Sequence, residues 1–372
     1  MIALLLANAD GPIQNLSIFD PVSPPAESIR SLSVLVLAIT AFIFIAVEGI
    51  LIYAIIRFRR RPATGSAAGA NAMGPALSPE AGRGGTAGET EPPQVYGSKP
   101  IEIAWTAAPA LIVFVLVLVS ARTLWEVNVP PPQPKEKDNA LFVTVVGRQW
   151  WWEYQYDYYN GKPIRAVGTD GKETDLPVIT ANELHVPASA GGVSRRVFLT
   201  LKSADVCHSF GVPRLAGKTD LIPGRVNAMW FQTDQPGLYV GQCYEYCGTQ
   251  HANMLIRVYV DSPDDFEAWL ANERQPAVED PEVRAGRSAF LGQSCVNCHR
   301  VRGTPARGSY GPDLTHLKKR ETLASGMVDN NPVNLLAWVA DPQKVKPGCL
   351  MPAFGLSDRD RNNIVRYLLT LR

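Results

Sequence analysis

The sequence predicts three structural classes in succession: a hairpin of two membrane-spanning helices, an all-β domain, and a small all-α domain. Three observations predict them. Two apolar runs, 32–58 and 101–124, are each long enough to cross a hydrocarbon core, which needs about 20 helical residues. Short strand-like stretches at 141–146, 197–201, 226–232, 238–240 and 255–260 are separated by Gly and Pro turns, the pattern of a sandwich or barrel. The stretch 281–372 instead carries two amphipathic segments, one marked by Gly286 and Phe290, the other at 358–371 with Tyr367 on its apolar face. A chain of 372 residues has room for these domains, and its formal charge of +1 gives no case for nucleic-acid binding.

The first apolar run is broken only by Ser33, Thr40, Glu48 and Gly49, and Arg57, Arg59, Arg60 and Arg61 close it. Those arginines put the following loop on the cytoplasmic side. That loop, 62–98, is rich in Gly, Ala and Pro without a hydrophobic period and is expected to be disordered. The amino-terminal segment 1–31 and everything after 125 then lie outside a bacterial inner membrane. The opening residues 1–9 (MIALLLANA) read either as a signal remnant or as a mobile end. Glu48 reads as a carboxylate packed against a partner helix. Domain limits follow: the hairpin 32–125, a β domain 135–272, and a helical domain 281–372.

Two segments carry chemistry. In 241–254 (GQCYEYCGTQHANM), Cys243, Cys247, His251 and Met254 bracket Glu245. Two thiols, an imidazole and a thioether form a soft donor set that suits copper. Their spacing would also follow one helix face, but Gly237, Gly241 and Gly248 break a helix, so a loop between strands is expected. His208 is the candidate for a second imidazole. Farther on, Cys295-Val-Asn-Cys298-His299 is the covalent c-type haem attachment pattern, with His299 as the iron ligand. Met351 and Met327 compete for the sixth position, and Met351 is favoured by its setting between Lys346-Pro-Gly and Pro352. Met/His ligation raises a haem's potential. The carbonyl of Pro312 is the expected acceptor for the second nitrogen of His299. Of the six Cys, four thus fall into ligand pairs, which argues against a disulfide framework. Cys207 reads as a small buried hydrophobe and Cys349 has no assigned role. His185 reads as structural and His316 as a surface residue. No constellation for hydrolysis is present.

The segments 205–213 and 241–254 together resemble the binuclear CuA signature of subunit II of the haem–copper oxidases, a His followed by Cys, Glu, Cys, His and Met. The resemblance implies a cupredoxin-like Greek key. It implies two coppers bridged by Cys243 and Cys247, with His208 and His251 on different coppers. Met254 and the backbone carbonyl of Glu245 would be weak ligands. Two positions depart from the family: Cys207 stands where an aliphatic residue is usual, and Leu255 where Pro is usual. The run 149–156 (QWWWEYQY) resembles the family's aromatic strip between copper and the cytochrome c docking surface. Trp150 takes the position of its exposed tryptophan through which electrons enter, while Trp152 and Tyr154 read as packing. Glu102 and the residues to Pro109 resemble the start of the family's second helix, implying that Glu102 marks a proton pathway entrance. The segment 218–225 implies that Asp220 and Arg225 lie near the catalytic subunit. The haem segment resembles class I cytochromes c.

The expected function is therefore electron transfer in a terminal respiratory oxidase, as a cytochrome c oxidase subunit II with a fused cytochrome c. Electrons would pass from haem c to CuA and on to the oxygen-reducing haem of catalytic subunit I. The alternative is the CuA electron-accepting subunit of a nitric oxide reductase. Expected partners are the other oxidase subunits, membrane lipid, and a cytochrome c or cytochrome bc complex as donor. Residues 281–372 hold 14 Lys/Arg against 7 Asp/Glu, and residues 135–275 hold 14 against 17. A basic haem domain is expected to dock electrostatically on an acidic copper domain near Trp150, with transfer slowed by salt.

Overall fold

The computed structural model describes residues 17–59, 96–135, 139–278 and 280–372. The expectations for 1–9 and for the loop over 62–95 lie outside the described residues. Helix α1 spans Pro24–Phe58 and α2 spans Lys99–Val127. The first helix begins at Pro24 rather than at residue 32. Proline is at home in a first turn, where its missing N–H has no partner to lose, and Glu27 complements the positive helix end. Both helices present apolar side chains outward, Phe42 at 71% and Ile50 at 70% exposure among them. Such surfaces are stable in lipid rather than water. Residues 33–121 form one compact unit, and the described residues on either side of them form a second.

The second unit contains two packed sheets. Strands β1 (Leu141–Arg148), β2 (Trp151–Tyr159), β3 (Lys162–Pro163) and β4 (Val178–Ala181) come first, then β5 (Glu183–Pro187), β6 (Val197–Ser203), β7 (His208–Gly211) and β8 (Lys218–Leu221). The last three are β9 (Asn227–Phe231), β10 (Gly237–Cys243) and β11 (Leu255–Asp261). One sheet has the order β3-β2-β1-β6-β9 with β4 also on β2, the other β5-β11-β10-β7-β8. The crossovers make β1–β6 and β5–β11 parallel in an otherwise antiparallel fold. Period-two burial sets the register. Ile256, Val258 and Val260 of β11 face Trp152, Tyr154 and Tyr156 of β2 within one core, all at most 2% exposed. On the outer face Phe142 stacks on Phe198 in a cluster that includes Trp230, and Trp230 Nε1 donates to the Val127 carbonyl at 3.1 Å, pinning the chain where it leaves α2.

Helix α3 (Pro263–Glu273), capped by Ser262, seals the sandwich with Phe266. The helical domain follows: α4 (Arg284–Gly292), α5 (Cys295–Cys298), a two-stranded ribbon of β12 (Thr322–Leu323) and β13 (Val328–Asp329), then α6 (Pro332–Ala340), α7 (Pro342–Val345) and α8 (Asp358–Leu368). Asn331, Asp341 and Ser357 cap α6, α7 and α8 by accepting from backbone amides. Helices α4 and α8 cross at Gly286. A Cβ there would stand 2.1 Å from the Asn363 carbonyl, so only glycine permits the approach. Gly286→Ala is therefore expected to destabilise the helical domain by about 1–3 kcal/mol, read as a lowered Tm in thermal unfolding. Gly292→Ala, whose Cβ meets nothing within 4 Å, is the control and should leave Tm unchanged or slightly raised.

Candidate metal centres

The donor set of the β domain is assembled by three strands. β7 opens with His208, β10 ends at Cys243, and β11 begins just after Met254. β10 pairs with both neighbours, setting Cys243 opposite Phe210 and Gln242 opposite Leu255. The loop between β10 and β11 closes on itself where Cys243 N donates to the Met254 carbonyl at 3.0 Å. Cys243 Sγ then lies 3.9 Å from Cys247 Sγ, 4.0 Å from His208 Nδ1 and 3.2 Å from the Glu245 carbonyl. Cys247 Sγ lies 3.6 Å from His251 Nδ1 and 3.9 Å from Met254 Sδ. All six groups named from the sequence thus converge, with the imidazoles approaching different thiols and no disulfide between the sulfurs.

His208 is fully buried, its ring edge-on to Trp152. Its Nε2 meets Asp205 Oδ1 at 2.8 Å, which turns Nδ1 toward the thiols. Burial alone would lower this imidazole, but its bonds to Asp205 and Cys243 carry it above the ordinary range. Asp205, despite burial, is held low by His208 and by the amides of Gln149 and Val206. The two thiols behave as a pair: the hydrogen bond between them holds Cys243 low and pushes Cys247 up, with burial and the charge on Cys243 adding to the rise. The first proton leaves easily and the second only if a cation replaces it. A buried pair of sulfurs with that property, ringed by two imidazoles and a thioether, fits soft metal ions.

In the helical domain Cys295, Cys298, His299 and Met351 line one cavity of about 150 Å³, and Met327 is not among its lining residues. His299 Nδ1 donates to the Pro312 carbonyl at 2.8 Å, which leaves the Nε2 lone pair available to a metal. Burial lowers this imidazole, favouring the neutral form. Gln343 Nε2 donates to the Met351 carbonyl at 2.9 Å and anchors its loop. Free thiols, a neutral oriented imidazole and a thioether around an apolar cavity fit a covalent haem.

The same cavity has a second wall from the β domain, formed by Gln149, Trp150, Trp151 and Asn182. Trp150 Nε1 donates to the Cys247 carbonyl at 2.9 Å, and Gln149 Nε2 to the same oxygen at 2.8 Å. Gly248 allows this: at φ +114 it adopts a conformation open to glycine, and a Cβ would meet Trp150 Cζ2 at 2.9 Å. Trp150, expected exposed from the family pattern, is only 8% exposed, packed into the β-domain core and lining the cavity shared with the helical domain.

The contact between the two domains differs in kind from the surface docking expected from charge counts. Lys346 Nζ donates to the carbonyls of Trp150, Asn253 and Ala324 at 2.8, 2.9 and 3.0 Å. Burial lowers this ammonium to about 7, with the sulfurs of Cys349 and Cys247 opposing the shift. The Glu183 carboxylate accepts from Thr322 N, Thr322 Oγ1 and Glu321 N at 2.8, 2.7 and 3.1 Å. Burial raises the Glu273 carboxyl to about 7 against Arg320 and Arg302, so acidic groups of the copper domain do face basic groups of the haem domain. The ion pair Arg257–Glu321 at 3.1 Å has the reverse polarity. Lys346, Glu183, Gln149 and Asp205 were not singled out as functional from sequence; a lone lysine or glutamate carries no sign that it will be buried.

Other expectations resolve plainly. Cys207 is exposed rather than a buried hydrophobe, because it ends a surface bend before β7. His316 is 4% exposed rather than at the surface, since its Nε2 meets the Gln275 carbonyl at 3.0 Å beneath the linker. His185 is stacked between Tyr259 and Trp269, and Trp152 and Tyr154 are fully buried. Glu102 sits exposed in the first turn of α2. Asp220 lies on β8 and Arg225 in the exposed turn after it. Because Asp205 orients His208, Asp205→Ala is expected to weaken copper binding about 10- to 100-fold in a competition titration; unchanged affinity would remove Asp205 from the site.

Residues 141–260 match the family model of the cytochrome c oxidase subunit II periplasmic domain, residues 283–372 that of cytochrome c, and residues 12–71 that of the subunit II transmembrane domain. Cytochrome c oxidase subunit 2 of Alkalihalophilus pseudofirmus is 32% identical over 363 residues, covering 96% of this chain and 92% of the relative. The subunit 2 of Bacillus subtilis is 29% identical over 388 residues, covering 100% and 96%. The crystal structure of the periplasmic domain of cytochrome oxidase subunit II from Bradyrhizobium japonicum is 30% identical, covers 38% of this chain and 96% of that one, and gives a TM-score of 0.29. With its membrane hairpin, cupredoxin-like sandwich and helical cytochrome c domain in one order, the chain belongs to the cytochrome c oxidase subunit 2 family and is a component of a haem–copper oxidase.

Proposed function

We propose that this chain relays electrons inside the oxidase, from a haem c held by Cys295, Cys298, His299 and Met351 to a binuclear copper centre held by His208, Cys243, Cys247, His251, Met254 and the Glu245 carbonyl, and then to the catalytic subunit. The observation that carries the reading is the shared wall. Trp150 lines the haem cavity and donates to the carbonyl of the ligand Cys247. Haem and copper each supply one-electron redox chemistry when bound, and the protein supplies position and dielectric. His208 is oriented by Asp205, His299 by Pro312, and the Met351 loop by Gln343. Water is kept from the sulfurs, since Cys243 and Cys247 are 2% and 3% exposed. A rigid, dry ligand cage changes little between oxidation states, and that favours fast transfer.

The remaining roles belong to the same reading. Both redox domains stand on the outer side of a bacterial inner membrane. Asp220 and Arg225 face the catalytic subunit, and Glu102 marks a proton pathway entrance. With Trp150 buried, a cytochrome c or cytochrome bc donor delivers its electron to the haem rather than to the tryptophan.

Metal analysis of the purified complex should find two coppers and one covalent haem per chain; any other stoichiometry contradicts the assignment. A co-purifying large subunit that reduces nitric oxide instead of oxygen would assign the alternative complex. Trp150→Leu should keep both optical signatures and slow haem-to-copper transfer by about 100-fold, the scale on which misplacing reacting partners acts. A native rate in that variant would remove Trp150 from the path.

A further inference from the structure

We infer that Lys346 is the positioning residue that locks the cytochrome c domain onto Trp150, so that transfer between the two centres runs in a preformed contact instead of after diffusive docking. The inference rests on the relay proposed above and adds to it the group that sets the distance.

Lys346 is 3% exposed. An ammonium has three N–H donors and no acceptor, and all three are used, on the carbonyls of Trp150, Asn253 and Ala324. The three acceptors lie on three separate segments. Trp150 forms the wall of the haem cavity. Asn253 immediately precedes Met254 of the copper donor set, within the one-turn 3-10 helix His251–Asn253. Ala324 sits at φ 53 in the turn joining β12 to β13. Lys346 itself belongs to the loop that presents Met351. One side-chain nitrogen therefore ties the backbone of the haem's candidate axial loop to the backbone of the copper loop and of the tryptophan between them. Charge-assisted bonds are short and strong, and their acceptors here are backbone groups that cannot rotate away. Glu183 makes a separate fastening to Glu321 and Thr322 on the ribbon. Loss of Lys346 alone should thus leave the domains attached but their alignment at Trp150 unfixed.

The test uses Lys346→Met in the full purified complex. Haem and copper optical bands should persist, and transfer from copper to the catalytic subunit, started by photoreduction at copper, should be unchanged. Haem-to-copper transfer should fall by about tenfold or more and become sensitive to solvent viscosity, whereas the native rate should not depend on viscosity. Hydrogen exchange over 149–152 should rise in the variant. A native rate with native exchange protection in Lys346→Met overturns the inference. A native complex with no haem-to-copper transfer would sink the relay, and the exchange measurement would still decide the lock by itself. Should Lys346→Met fail to assemble, a native rate that falls with viscosity would overturn the inference.

Discussion

The hydrogen bond from Trp150 Nε1 to the Cys247 carbonyl is the constraint around which the outer part of this chain is built. It joins an aromatic side chain lining the cavity of Cys295, Cys298 and His299 to the backbone of the loop that carries the proposed copper ligands. Everything needed to hold it is local to the two domains. Gly248 leaves room for the indole, Gln149 shares its acceptor, and the cavity it lines is shared with the helical domain. In the proposed relay this tryptophan would act as an internal bridge between the two domains.

The two centres solve the same problem by different means. Each must hold charge away from water without trapping it. In the β domain two buried sulfurs share one proton, their mutual hydrogen bond holding Cys243 low and Cys247 high, a pair whose second proton a cation would displace. In the haem domain the ligand imidazole is kept neutral by burial, and its orientation is set by a single carbonyl. The interface between them is likewise made of buried groups, Lys346 and Glu183, bonded mainly to backbone. Surface ion pairs contribute little in water, so a contact of this type resists salt better than net charge alone would suggest.

The candidate ligands were legible in the sequence because coordination chemistry restricts residue type. Cys243, Cys247, His251, Met254 and the Cys295–His299 motif announce themselves by spacing, and His208 follows from the family pattern. The strands were legible from period-two burial, as in β11. What stayed hidden depends on how two domains meet. Trp150 reads as exposed, yet it packs into the β-domain core and lines the cavity shared with the helical domain. Lys346 and Glu183 carry no sequence mark of their contacts, because burial by a distant segment leaves no local trace. Cys207 and His316 were misplaced for the same reason: exposure is a tertiary property. The first helix starts early because a proline pair, usually a breaker, is favourable in a first turn.

The central claim is that haem and copper exchange electrons across a fixed contact at Trp150. Flash photoreduction of the haem in the native complex, followed simultaneously at the haem band and the near-infrared band of the copper pair, tests it most directly. The account expects haem reoxidation and copper reduction to share one rate constant that does not change with ionic strength. Haem that stays reduced while copper fills from elsewhere, or a rate that falls steeply with added salt, would contradict it.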